Sequence, residues 1–564
     1  MRRRGNHVDR RIRLLLLVLV LAFGATLGRA VWLQAVRAAP LAQLAAGQHR
    51  QTVAIPAGRG TIFDRTGVEL AIGETATTVY ANPREVRRPR AVALAAARLL
   101  DRDAEELYGL LADRSRGFVY VQRKADPKMA ARLAKLGLAG LGFYPEERRV
   151  YPQRSVGAHV LGYTGVDNRG LSGIERARDP VLAGRAGSQT IVKDPFGRAI
   201  DVVDSVAERT GDDVYLTIDH TMQANAEAVL ARTVSQWRAR SGSAIVLDPR
   251  TGAILAMAVA PLYDANRFGE TPPSRSRNRV VTDTYEPGST FKLITVAGVL
   301  SEGLVSPGTA YTLPYSIQVA DRRIHDSHPR ETETMTVSEI LSRSSNVGTV
   351  TLAQTLGKTR LVEWIERFGL GRPTGVDFPG ESPGIVLPPE LWSGSTIGNV
   401  PIGHGIAVTP VQMAAAYAAI ANDGIWVQPH LVERVRGGQR TVPKRRRIVS
   451  PEIARTLASM LRGVVVEGGT GTQAAVPGYS VAGKTGTAAK PDERGGYSTS
   501  RYVASFVGFA PATNPRLVIL VTIDEPGTAI WGGVVAAPAF QNIARFGLQY
   551  LEVPPDEPIQ APTP

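Results

Sequence analysis

Hydrophobic and polar positions follow several distinct patterns along this chain, and each predicts a different element. Residues 14–27, "LLLLVLVLAFGATL", have no polar period at all. Continued to Leu33 they give 20 residues, about 30 Å of helix and enough to cross the hydrocarbon of a bilayer. From residue 37 to 210 short alternating runs such as "QTVAIPAGRGTIFDRTGVELA" are mixed with helical ones such as "RAVALAAARLLDRDAEELYGLLADR", which predicts an α+β module of modest core. At "DDVYLTIDHTMQANAEAVLARTVSQW" (212–237) the period changes from two to 3.6, with Leu216, Ile218, Met222, Ala226 and Leu230 on the apolar side, so a strand runs into an amphipathic helix and a second domain opens. "SAIVLDPRTGAILAMAV" (243–259) reads as a hairpin turning at Pro249 to Gly252, and "RYVASFVGFAPATNPRLVILVTIDEP" (501–526) as another turning at Asn514-Pro515. Two hairpins at the ends of a helix-rich middle predict one antiparallel sheet assembled from both ends. The final "LEVPPDEPIQAPTP" holds five prolines and reads as an unfolded tail. The resulting expectation is an α+β multidomain protein: a basic segment over 1–13, a membrane anchor over 14–33, a module over 37–210, a second domain over 211–549 and a tail over 550–564.

The N-terminus assigns the compartment. Residues 1–13 carry six Arg against one Asp, and such a flank stays cytoplasmic, leaving everything after Leu33 outside. Arg29 lies near the far end of the span, where it can snorkel. Gly28-Arg29-Ala30 also fits a small-x-small cleavage site, so a cleaved leader is the competing reading. Over the whole 564 residues the composition is globular, 43% hydrophobic and 21% charged, with 66 basic and 51 acidic residues. The surplus favours anionic surfaces. Only 9 of the basic residues are Lys and 57 are Arg, spread along the chain, and no nucleic-acid motif accompanies them. The densest internal run, Lys444 to Arg447, reads as a solvated loop. There is no cysteine, hence no thiolate metal site and no catalytic thiol. His325 and His328 alone are a weak metal signal, and neither a metal nor a cofactor is assigned.

The candidate chemistry centres on "GYSVAGKTGTAAK" (478–490), which fits two incompatible motifs. Gly478, Gly483, Lys484 and Thr485 match the phosphate-cradling P-loop, and Lys484-Thr485-Gly486 matches the K-T-G of penicillin-recognising enzymes. A P-loop follows a buried strand and opens a helix. Here "EGGTGTQAAVP" precedes it and "KPDERGGYSTS" soon follows, and the segment lies outside the membrane, away from ATP. "LVILVTIDE" (517–525) therefore does not act as its Walker B strand. "GESPG" (380–384) formally matches a nucleophile elbow, but the residue that must donate an N–H there is Pro383, which has none.

The peptide reading requires a nucleophile and base elsewhere. S-x-x-K occurs once, as Ser289-Thr290-Phe291-Lys292 after the turn Pro287-Gly288. Helical periodicity follows, placing Ser289 at a helix N-terminus with Lys292 one turn on. A buried Lys near another cation loses its proton near neutrality, which Arg does not. Ser344-Ser345-Asn346 lies at a polar break between two helical stretches, so a hydroxyl and an amide at i and i+2 can enter one cleft. The order S-x-x-K, S-x-N, K-T-G is far more specific than any one of the three.

With these motifs the chain resembles the class B penicillin-binding proteins from about Ala54 to Asp524. The resemblance also rests on "RGTIFDRTG" (59–67), "YPQRSVGAHVLGYTG" (151–165), "GLSGIE" (170–175) and "GHGIAVTPVQMAAAYAAIANDG" (403–424). It is most similar to the cell-division branch, the FtsI or SpoVD type, rather than the elongation branch. The resemblance implies a pedestal or dimerisation-like module over 37–210, and a penicillin-binding/β-lactamase-like transpeptidase domain, an antiparallel sheet flanked by helices, over 211–549. It implies a D,D-transpeptidase that crosslinks peptidoglycan stem peptides and binds β-lactams. Ser289 would be the nucleophile and Lys292 its base. Ser344 would shuttle the proton, Asn346 would grip the donor peptide, and Lys484, Thr485, Gly486 and Thr487 would hold its carboxylate. Arg59, Asp64, Arg65 and Glu175 read as ion-paired structural residues. Implied partners are the membrane, a multi-spanning SEDS-family glycan polymerase of the FtsW or RodA kind, and other divisome proteins. A D,D-carboxypeptidase and a non-catalytic penicillin-binding sensor or scaffold use the same residues and stand as alternatives.

Overall fold

The computed structural model describes residues 5–37, 50–193, 199–493 and 495–558. The expected features at 1–4, 38–49 and 559–564 lie outside the described residues. Two compact units emerge, one from residues 1–58 and 184–210, the other from 59–183 and 211–564.

The first unit opens with helix α1 (Gly5–Ala35). Its stretch Arg10–Ala35, 26 residues of mean hydropathy 2.3, is long and apolar enough to cross a membrane. Nearly every side chain described on it is exposed, so no protein core competes for this apolar surface. Arg29 and Arg37 lie over the Trp32 ring at 4.8 and 4.9 Å, an amphipathic cluster of the kind that sits at a membrane surface. The unit also holds a three-stranded antiparallel sheet, with Gly187–Lys193 between Arg50–Ile55 and Ala199–Val206.

In the second unit, β1 (Ile62–Phe63), β2 (Glu69–Ala81), β3 (Val119–Ala125) and β4 (Leu141–Val150) form one sheet. The strand β5 (Val214–Leu216) joins β1 in parallel. Helix α2 (His220–Gln236) follows, its N-terminal amides of Thr221 and Met222 capped by Asp219. Then come the predicted hairpin β6 (Ser241–Leu247) and β7 (Ile254–Ala260), and helices α3 (Lys292–Ser301), α4 (Val337–Ser342), α5 (Asn346–Leu356) and α6 (Pro410–Ala421). Strand β8 (Val432–Val435) pairs with β5. The chain closes with β9 (Ala482–Pro491), the hairpin β10 (Tyr497–Ala510) and β11 (Leu517–Asp524), and helix α7 (Ala537–Tyr550).

The expected sheet is present, in the order β7-β6-β11-β10-β9 and antiparallel throughout. Both of its faces are covered. On β11, Leu517, Ile519 and Val521 pack with α2 and α7 side chains such as Leu230 and Phe540, while Val518 and Leu520 pack with α3 and α6 side chains such as Val296 and Tyr417. That two-sided burial explains why "LVILV" is continuously apolar rather than alternating.

Residues of the module drawn as 37–210 fall in both units, and within the second unit β1 pairs with β5. Two expectations differ from the structure. The Pro-rich end is fastened as far as residue 558. Tyr479 donates to Val553 O at 2.6 Å, Asp556 accepts from Ser480 N at 2.8 Å and Thr513 at 2.6 Å, and Glu557 pairs with Arg462 at 2.7 Å. Proline blocks regular pairing here but leaves side chains free to bind. Lys444 to Arg447 is not wholly solvated loop: Arg445–Arg447 pairs with Ile425–Val427, and Arg446 lies over Trp426 at 4.7 Å.

Of the early motif residues, Glu175 is fully buried between Arg59 and Arg149, accepting from their Nε atoms at 2.7 and 2.6 Å. Arg59 also reaches Asp179 at 2.8 Å. Asp64 accepts from His220 Nδ1 at 2.8 Å and from Thr66, whereas Arg65 is exposed and contributes its backbone N–H to Ile218 O. Glu175→Gln leaves the buried Arg149 without a charged partner and Arg59 with Asp179 alone. Removing one partner of a buried pair costs about 3–5 kcal/mol, so chemical denaturation of this variant is expected to show a loss of that size.

Candidate active site

The three motif-bearing pieces of chain converge on a cleft of about 410 Å³ lined by Ser289, Ser344, Asn346, Thr485 and Thr487. Ser289 sits in a short 3₁₀ turn, Gly288–Phe291, that runs directly into α3. The sequence placed it at a helix N-terminus, and the turn refines this: Ser289 precedes the first α-helical residue, which is Lys292. Lys292 is completely buried and the apolar residues after it through Leu300 are buried too, so the helix is fixed along its length and its first side chain has little room to move.

Glycine makes the close approach of strand and turn possible. A Cβ on Gly486 would fall 2.9 Å from Pro287 O and 2.3 Å from Ser505 Oγ, so β9 can lie against the serine turn only with Gly in K-T-G. A Cβ on Gly288, whose φ is +53°, would fall 3.0 Å from Thr487 O.

Lys292 Nζ lies 2.6 Å from Ser344 O, 3.2 Å from Ser344 Oγ and 2.7 Å from Asn346 Oδ1. This amine ties the first motif to the second. Burial is the largest influence on it and lowers its pKa to about 7, while the charge of Asp326 acts in the opposite direction. Lys484 is also completely buried, its Nζ 3.4 Å from Thr485 O and Oγ1. Burial, and then the charge of Lys292, push it well below the ordinary lysine value. Two ammonium ions do not coexist cheaply in so dry a space. Thr485 shares a hydroxyl contact with Thr470 at 2.8 Å, and Thr487 Oγ1 accepts from Gly532 N at 3.1 Å, which fixes both threonines along the cleft.

Ser344 has a φ of +63°, uncommon for a residue with a Cβ. It follows the end of α4, where Ser345 N bonds back to Ile340 O at 2.9 Å, the left-handed helix stop usually given to Gly. A serine there presents both its carbonyl and its hydroxyl to Lys292, which Gly would do only in part.

Sequence reasoning missed Asp326. Its carboxylate accepts from Asn346 N at 2.6 Å, Val347 N at 3.0 Å and Ser345 Oγ at 3.0 Å, and pairs with Arg330 at 2.7 Å. It thus anchors the N-terminus of α5 and with it the whole S-x-N segment. No motif marks it, because it is 20 residues away in sequence; only His325 and His328 beside it drew attention. Asp326→Asn removes the charge and turns an N–H donor toward other donors. Hydrogen bonds to a charged group contribute about 1.5–3 kcal/mol each, so the rate of β-lactam acylation is expected to fall on the order of 10–100-fold as Asn346 and Ser344 lose their fixed positions. A stopped-flow acylation measurement checks this.

Among the described residues one group of possible metal ligands lies together, Asp64, Asp219 and His220. Asp219 is engaged as the α2 cap and Asp64 in holding Thr66, Val68 and His220. These oxygens act structurally.

The chain matches the model of the penicillin binding protein transpeptidase domain over residues 242–545 and that of the penicillin-binding protein dimerisation domain over 54–216. It is 35% identical to the peptidoglycan D,D-transpeptidase FtsI of Escherichia coli K12, and 34% identical to the probable peptidoglycan D,D-transpeptidase PenA of Neisseria gonorrhoeae, in each case over 98% of this chain and 94% of the relative. Among solved structures it is similar to penicillin binding protein 3 of Mycobacterium tuberculosis complexed with aztreonam, with a TM-score of 0.71 and 32% identity, covering 90% of this chain and 99% of that one. It is also similar to a peptidoglycan synthetase of Bifidobacterium adolescentis, with a TM-score of 0.73 and 28% identity, covering 91% and 99%.

Proposed function

The chain belongs to the class B penicillin-binding proteins and is a serine-type peptidoglycan D,D-transpeptidase; from that membership we propose that Ser289 carries the acyl group, at a site held outside the cell by the N-terminal helix. The observation that carries the residue assignment is the meeting of three motifs at one amine: Lys292, one turn from Ser289, is bonded to Ser344 and Asn346 and electrostatically coupled to Lys484.

Each group then has a role set by its chemistry. The carboxylate of the stem peptide enters beside Lys484, Thr485 and Thr487 and supplies the negative charge that the dry site lacks. Lys484 becomes cationic, and its charge keeps Lys292 neutral. A neutral amine has two N–H bonds and one lone pair, so Lys292 can donate to Ser344 O and Asn346 Oδ1 while accepting a hydroxyl proton. Ser289 Oγ, losing its proton to Lys292, attacks the penultimate D-Ala carbonyl. The N–H groups of Ser289 and Thr487 receive the oxyanion, where one donor contributes about 3–4 kcal/mol. As the C–N bond breaks, the proton passes through Ser344 to the leaving D-Ala amine. An amine of a second stem then attacks the ester, returning its proton by the same route and restoring Ser289. The amide formed replaces the amide broken, so no nucleotide is consumed.

Helix α1, preceded by its arginine-rich segment, anchors the chain with its N-terminus in the cytoplasm. Likeness to FtsI over nearly the whole chain favours a role in septal wall synthesis beside a SEDS-family glycan polymerase and other divisome proteins. Supplied with uncrosslinked strands made by a glycan polymerase, the full chain is expected to release D-Ala and form crosslinked dimers in equal amounts. Release without dimers identifies a carboxypeptidase, and neither product identifies a sensor or scaffold. Depletion in cells is expected to give filaments; rounded cells would instead indicate elongation.

A further inference from the structure

A second cleft, about 570 Å³, lies away from the catalytic residues between the early β sheet and the segment 264–268. Lys124, Arg148, Arg149, Arg154 and Arg267 line it, against one carboxylate, that of Asp264. The other acids that pair with these arginines, Glu74, Glu175 and Glu270, are not among the lining residues. Arg149 is an inner wall of the cleft: its side chain is 2% exposed, its Nε and Nη1 are held by Glu175 and by Gly60 O, and its Nη2 is buried without a partner. Arg154 and Arg267 at the rim are 75% and 65% exposed, each with a single ion-pair partner at 3.3 and 3.2 Å, so both are free to turn toward a ligand. Phe268, stacked on Tyr163 at 4.2 Å, adds an aromatic wall.

We propose that this cleft binds a carboxylate-bearing oligomer, namely an uncrosslinked wall strand with its stem peptides, at a place separate from the catalytic serine. The choice of ligand rests on the transpeptidase reading given above; the charge and shape of the cleft do not. Guanidinium groups pair with carboxylates in two-pronged fashion, and stem peptides carry free carboxylates at intervals. A sugar or extended peptide, narrower than a helix of about 10–12 Å, suits a cleft of about 570 Å³. Apolar lining is limited to Val150, Val166 and Phe268, which leaves little for an acyl chain. Holding a strand here would keep stems near the catalytic cleft by raising their local concentration.

The test uses the full chain in neutral detergent with Ser289 first acylated by penicillin, so that the catalytic cleft is closed, and measures binding of soluble uncrosslinked strands. Wild type is expected to bind them, and strands whose carboxylates have been amidated about ten-fold or more weakly. Arg154→Glu combined with Arg267→Glu is expected to lose about ten-fold or more of the affinity while acylating at the normal rate and keeping its thermal midpoint, and the corresponding double Lys variant to retain most of it. No binding by wild type, equal binding of amidated strands, or binding by the double Glu variant within two-fold of wild type would each overturn the inference. Failure of penicillin to acylate wild type would instead count against the transpeptidase reading, and strand binding to the unacylated protein would still test the cleft.

Discussion

Ser289→Ala is expected to remove penicillin labelling and crosslinking completely while leaving the fold intact. Loss of the nucleophile in a serine acyltransferase costs on the order of 10⁶ in turnover, because no neighbouring group can form the ester. Ser344, the other hydroxyl at Lys292, is held in a left-handed backbone conformation at the end of a helix and cannot replace it. The Ser289 side chain faces the cleft and not the core, so substitution by a smaller residue should leave stability within about 0.5 kcal/mol. Thermal melting alongside gel fluorescence of a labelled β-lactam separates the two effects.

Lys292→Arg is expected to be nearly as damaging although it keeps a basic side chain. Guanidinium stays protonated throughout the accessible pH range, so it cannot take the Ser289 proton, and general-base catalysis contributes about 10²–10⁴-fold. The pH dependence distinguishes loss of a base from loss of shape. Burial lowers Lys292 to about pH 7; below that pH the amine is protonated and cannot accept, above it the lone pair is free. Acylation by wild type should therefore rise through pH 7 and level off, and the residual rate of Lys292→Arg should lack this rise. Stability follows the same titration with its own sign. The unfolded chain, with an ordinary lysine, binds more protons between about 7 and the usual lysine value of 10.5, so this group's contribution to stability increases as pH rises across that window.

Much of the catalytic domain could be read because its signals are local. The β6–β7 and β10–β11 hairpins show in paired apolar runs with Pro and Gly at the turns, and S-x-x-K, S-x-N and K-T-G each occupy three or four residues. What was not legible depends on pairing across sequence. The parallel contact of β1 with β5 joins residues about 150 apart, and nothing in "TIFDR" announces it. Asp326 was missed for the same reason: its partners at 345–347 come to it only through folding. The prolines after Tyr550 do prevent helix and strand. They do not prevent Asp556 and Glu557 from binding side chains on the body of the domain.

The central claim is that one hydroxyl, at position 289, takes up the acyl group. The most direct measurement is peptide mass mapping of the full-length protein after reaction with penicillin. The account predicts one penicilloyl adduct per chain, on the peptide containing Ser289. An adduct on any other side chain, or none on the folded protein, would contradict it.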